Sequence, residues 1–130
     1  MGLDQYAYAA ARDQLVNPDA DFDLEPKEKD VAPVAIAYWR KFNPLQGWME
    51  RLYQERGGNE TFNCVSLQLR AADIDRLEHD TLAGKVKTTQ GVVFGGEWER
   101  EEIQTAIFEF LPKARAALAE GKVLMYDSWW

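Results

Sequence analysis

Cysteine and histidine are almost missing from this sequence: Cys64 and His79 are the sole examples among 130 residues. A single thiol excludes an intrachain disulfide and any multi-thiolate metal site, and it suits a reducing, cytoplasmic setting. Long apolar runs are missing too. No stretch reaches the eighteen or so residues that a membrane-spanning helix needs, so no membrane span is expected. The opening MGLDQYAYAAARDQ lacks the basic start and apolar stretch of a secretory signal, and none is expected. Positive charge is also in short supply. With 15 Lys and Arg against 22 Asp and Glu, the formal net charge is −7. Proteins that grip nucleic acid do so through clustered Lys and Arg, so direct phosphate binding is not expected here, nor is attraction to an anionic membrane.

Catalytic signatures are equally scarce. TTQGVVFGG (88–96) has bracketing glycines but neither the GxGxxG nor the GK[ST] pattern, and reads as a tight strand entry. Cys64 reads as a buried mid-strand residue and His79 as part of a charged helix end, so a nucleophile beside its base is not predicted. Metal-ligand spacing is absent, and no metal or cofactor is expected. The acids of GGEWEREEIQ (95–104) fit a helix start, where they complement the backbone dipole. The balance leans away from an enzyme.

What is present is a domain-sized chain with enough apolar and aromatic residues for one core, read as a single domain over 1–130. GLDQYAYAA alternates as a strand, setting Leu3, Gln5 and Ala7 against Asp4, Tyr6 and Tyr8. NPDADFDLEPKEKD (17–30) carries −4 of the total charge and reads as an exposed acidic surface loop. Counting from Asp19, its acids fall at calcium-loop positions, but Leu24 stands where the sharp turn demands glycine, so no EF-hand is predicted. VAPVAIAYWRKF (31–42) reads as a strand. A helix then follows, capped by Asn43, with Pro44 in its first turn and the stripe Leu45, Trp48, Met49, Leu52. Further strands are expected at 62–69, 91–96 and 122–130. Further helices are expected at 71–82, with Ile74, Leu77 and Leu82 inward, and at 98–119, where Pro112 should kink or split the helix. The sum is α+β: a single antiparallel or mixed sheet of about four to five short strands with about three helices on one face.

The densest aromatic and cationic stretch is AYWRKFNPLQGWMERL (37–52). Tyr38 and Arg40 should point one way from the strand, Trp39 and Lys41 the other. This stretch either closes the core or floors a pocket in which a cation stacks on a ring and meets an anion. Such a pocket would lie between Tyr38, Arg40, Trp48, Asn63 and Gln90. The C-terminal MYDSWW raises the same choice, because Trp129 and Trp130 must leave a strand on opposite sides. The outward ring is expected to cover an edge, join the Tyr38/Trp39 patch, or meet a partner, a homodimer included.

In order, MGLDQY, YWRKFNPLQGWME (38–50), FNCVSLQL (62–69), TTQGVVFGG (88–96) and YDSWW make the chain resemble a family of small uncharacterised bacterial, prophage and phage proteins. The resemblance covers about half the chain. It implies a lineage and a compact domain, with Tyr38, Trp39, Arg40, Lys41, Trp48, Asn63, Cys64, Gln90 and Trp129 as shared polar and aromatic positions. It implies no reaction, and the 17–30 loop lies outside it. The function expected is that of a small cytoplasmic, phage-related accessory protein that binds a protein partner through an aromatic patch. The alternatives are a small-molecule or anion binder (or small enzyme) using the pocket above, and an acidic inhibitor that imitates nucleic acid.

Overall fold

The computed structural model describes residues 2–29, 33–88 and 97–130. Among them, four strands form one antiparallel sheet: β1 (Asp4–Ala10), β2 (Val34–Arg40), β3 (Leu67–Leu69) and β4 (Val123–Trp129), in the order β2-β1-β4-β3. Three helices, α1 (Asn43–Glu55), α2 (Ala71–Leu82) and α3 (Arg100–Ala119), cover one face. This is an α+β fold. No helix among the described residues is long and apolar enough to cross a membrane.

Strand alternation decides what each face holds. Ala7, Trp39, Leu67, Leu69, Leu124 and Tyr126 point from the sheet into the helical layer. There they meet Leu45, Met49 and Leu52 of α1, Ile74 and Leu77 of α2, and Ile107, Phe110 and Ala114 of α3. The stripes predicted for α1 and α2 therefore join α3 in one core, apart from Leu82, which is exposed while neighbouring Thr81 is buried and donates its hydroxyl to the Leu77 carbonyl.

Three local expectations are corrected. Asn43 is the first residue of α1 rather than its cap, which is Phe42. Gln5 of β1 fixes the backbone at this helix entry: its side-chain oxygen accepts the Phe42 N–H at 2.8 Å and its amide donates to the Phe42 carbonyl at 2.9 Å. Pro112 lies inside an unbroken α3. It sits on the solvent side of the helix, as does Phe108 one turn earlier, so the carbonyl that proline leaves unpaired faces water. The strand expected at 62–69 shortens to Leu67–Leu69, because Cys64 takes a left-handed φ of 59° that ends extended pairing. The strand expected at 91–96 lies outside the described residues.

The acidic segment is an exposed surface loop, as expected, and it is also pinned to the fold. Leu15 and Leu24 are buried against Ala10, Val123 and Met125 on the outer side of the sheet, while Phe22 packs edge-on against Tyr53 at 5.0 Å. The Asp23 N–H donates to the Ser66 carbonyl and the Gln68 N–H to the Asp21 carbonyl, both at 2.8 Å. The segment thus wraps the β3 edge and hydrogen-bonds along it much as another strand would. Low mean hydropathy of 17–30 concealed two anchoring side chains, Phe22 and Leu24.

Candidate functional site on the outer face of the sheet

The face turned away from the helices is read row by row from the register. Arg40, Asp4 and Trp129 form the first row, Tyr38, Tyr6 and Asp127 the second, and Ala35, Tyr8, Met125 and Gln68 the third. Cross-strand neighbours of this kind touch directly. The Tyr6 ring lies 5.0 Å from Tyr38 and 5.6 Å from Tyr8, centre to centre, giving a continuous strip of phenols across two strands. Tyr38 donates its hydroxyl to Asp4 at 2.6 Å, and that bond holds the phenol proton and raises its pKa. Tyr38 is 52% exposed and Trp129 65% exposed.

The same face closes towards its other end. There the acidic segment leaves a cleft of about 580 Å³ between itself and the sheet, with Tyr8, Leu24, Met125, Asp23, Glu25 and Asp127 among its lining residues. Burial pushes the Asp127 carboxyl upward, with Asp23 adding to the effect, although the Ser128 backbone N–H partly opposes it. Burial likewise raises the Tyr8 phenol, helped by the charge of Asp127. Cys64 stands at the rim of this cleft and is exposed, contrary to the buried position its sequence suggests. Its thiol contacts Asn63 Oδ1 at 3.7 Å. His79 is elsewhere, on α2 beside Asp80 at 3.6 Å.

The expected pocket between Tyr38, Arg40, Trp48 and Asn63 does not form. Tyr38 and Arg40 project from the outer face, whereas Trp48 is 3% exposed within the helical layer and donates its indole N–H to Asp80 at 2.9 Å. Burial of Asp80 works against its ionisation, but Trp48, His79 and Arg76 outweigh it and lower the pKa. The cation over a tryptophan ring is Arg76, 5.9 Å from the Trp48 centroid, not Arg40. Trp39 packs edge-on against Phe110 at 5.0 Å. Lys41, at φ 55°, lends its carbonyl to the Trp98 indole N–H at 3.0 Å. Asn63 is occupied by the chain's end, with its amide donating to the Trp130 carbonyl at 3.1 Å and its oxygen accepting the Trp130 N–H at 3.0 Å. The Trp130 indole N–H is bound to the Phe62 carbonyl at 3.0 Å. Gln90 lies outside the described residues.

Of the aromatic and basic positions singled out from the sequence, Tyr38, Arg40 and Trp129 thus share the outer face, while Trp39, Trp48 and Trp130 serve the packed side. The sequence reading passed over Asp4, Tyr6, Tyr8 and Asp127 as site residues. Their signal was present in the alternation of DQYAY and of MYDSW, once the two strands are set side by side. Two of the calcium-like acids are committed within the fold: Asp19 pairs with Arg12 at 2.5 Å and Asp21 with Arg70 at 2.8 Å. Among the described residues no group of three or more His, Cys, Asp or Glu could hold a metal ion. Comparison with protein families, with curated proteins and with solved structures finds no match for this chain.

Proposed function

We propose that this chain is a small cytoplasmic accessory protein of phage or prophage lineage, and that it works by binding a protein partner through the open end of its outer sheet face. One observation carries the reading: Tyr38 and Trp129 stay largely exposed on a face where Tyr6 and Tyr8 extend the same ring surface. Tyr, Trp and Arg are the residue types that dominate binding energy at protein interfaces, and Arg40 stands in the same row as Trp129. Rings lying along a sheet offer a broad surface rather than an enclosed hole, which suits a macromolecule better than a metabolite. Holding them on strands also spares the ordering cost that a flexible loop would incur on binding.

The test is affinity capture from bacterial lysate with the natural chain and with Tyr38→Ala/Trp129→Ala, both checked for native circular dichroism. A protein retained by the first should be lost from the second. Losing one anchoring ring typically costs about 2 kcal/mol, so with purified partner each single change should weaken binding roughly thirtyfold. Equal capture by the two chains would refute the proposal.

A further inference from the structure

The open end of the outer face carries a charge pattern that its rings alone do not explain. Arg40 stands at one corner, in the row of Asp4 and Trp129, and Asp127 at the opposite corner, in the row of Tyr38 and Tyr6. Arg40 is exposed, and neither it nor Asp127 is in an ion pair with a described residue. The face is also stepped. Beyond the second row the acidic segment stands on the sheet through Leu15 and Leu24, packed with Val123, Met125 and Tyr8, whereas Tyr38 and Trp129 in the first two rows stay exposed.

We infer that the partner of this face is a second copy of the same chain, seated face to face about a two-fold axis that crosses β1 between Asp4 and Tyr6. The inference rests on the reading of that face as a protein-binding surface. A two-fold contact must be self-complementary, because every meeting of two residues occurs again in reverse. Charge supplies that match. Turning one copy over about this axis carries its Arg40 toward Asp127 of the other copy, and its Asp127 toward the other Arg40, so two unpaired charges are answered twice. Burial already disfavours the Asp127 anion, so a guanidinium brought beside it gains more than one in open water. Shape agrees, since the raised acidic end of each copy falls past the open end of the other rather than against its ridge. The rings of Tyr6, Tyr38 and Trp129 are then enclosed as the filling of a two-layer sandwich. A foreign partner needs an acid opposite Arg40 and a cation opposite Asp127 at the same spacing, and this chain presents both. The contact spans three strands, about 10 Å across, which is small beside a standard interface, so association belongs in the micromolar range rather than the nanomolar.

Sedimentation equilibrium of the full chain tests this, in about 0.15 M salt so that repulsion between two chains of net charge −7 is screened. Over a roughly hundredfold rise in concentration, into the high micromolar range, the mean mass should climb from one chain toward two and stop there. Arg40→Asp and Asp127→Lys should each weaken association by about tenfold or more, because each sets like charges together twice. The two combined restore opposite charges and should bring association back to within about threefold of the natural chain. Tyr38→Ala/Trp129→Ala should abolish it over the same range. Crosslinking gives a second measurement that does not depend on Asp127→Lys folding. In a Cys64→Ser background, Asp4→Cys sets one thiol beside the axis, and a short bis-maleimide should join two chains through it. Asp75→Cys, on the exposed side of α2, should not crosslink. A mass that stays at one chain or passes beyond two, a dimer untouched by Arg40→Asp, a folded double variant that fails to recover, or equal crosslinking through Asp75→Cys and Asp4→Cys would overturn the inference. A monomer that still captures another protein through Tyr38 and Trp129 would sink self-pairing and leave the partner reading standing. A monomer that captures nothing would sink both.

Discussion

The two faces of the sheet are built from the same four strands, yet they solve opposite problems. The inner face is sealed by three helices, and its rings are locked ring against ring, with Phe62 and Tyr53 stacked at 5.0 Å and Trp39 edge-on to Phe110. Among the described residues no α-helix covers the outer face. One end is closed by a turn of acidic chain holding Leu15 and Leu24, and the other leaves Tyr38 and Trp129 in solvent. Aromatic residues are found on both, so ring content alone does not separate core from surface. Cover is what differs, and cover comes from elements distant in sequence.

Substitutions can break this contrast, beginning where the cost is greatest. Ile107 is fully buried between α3 and the sheet, and Ile107→Ala should cost roughly 3–5 kcal/mol, read as a lower midpoint in urea. Leu15 is 1% exposed but lies in the smaller outer cluster, which can relax towards solvent. Leu15→Ala should therefore cost about 2 kcal/mol, and limited proteolysis should then cut within 17–29 before any helix is attacked. If both changes cost the same, the outer cluster is as tightly built as the inner core and the contrast is wrong.

Asp127→Asn sharpens the contrast with a change of opposite sign. Burial and the nearby Asp23 disfavour the Asp127 anion, so the folded state holds that proton more tightly than the unfolded chain does. The penalty is absent below the ordinary carboxylate pKa, grows as pH rises, and is complete above the raised folded value. Thermal melts should accordingly show Asp127→Asn gaining stability at neutral pH and gaining none in acid. The smallest effect is expected at the open end, where Tyr38→Ala and Trp129→Ala should each alter stability by about 0.5 kcal/mol or less. A larger loss would mean that these rings hold the sheet together rather than await a partner.

How much of this was legible depended on whether the deciding contact was local. The DQYAY alternation sorted β1 correctly because the period of a strand is a property of the strand itself. The α1 stripe was equally plain, and Pro44 marked its first turn. What the sequence concealed was set by contacts across the chain. Asn43 looked like a cap, yet the helix begins on it, and Gln5, far away in sequence, fixes the backbone of Phe42 just before it. Cys64 looked buried within a strand, but its backbone turns where its N–H meets the Ser128 carbonyl at 2.7 Å. Trp48 and Arg40 looked like one site and lie on opposite sides of the sheet, because periodicity assigns a face within an element and not between elements. The acidic run looked solvated throughout, since composition averages over Phe22 and Leu24.

The two middle strands of the sheet, β1 and β4, come from opposite ends of the sequence, and Asp4 stands directly across from Trp129. Residues 34–40 are made well before 123–129, so in a growing chain β2 can pair with β1 while the other flank of β1 stays bare until β4 follows. Closing so long a loop is slow, and for that interval the bare flank is open to pairing with other chains. Cells making this protein at a high rate should lose more of it to aggregation during synthesis than the stability of the finished fold would suggest.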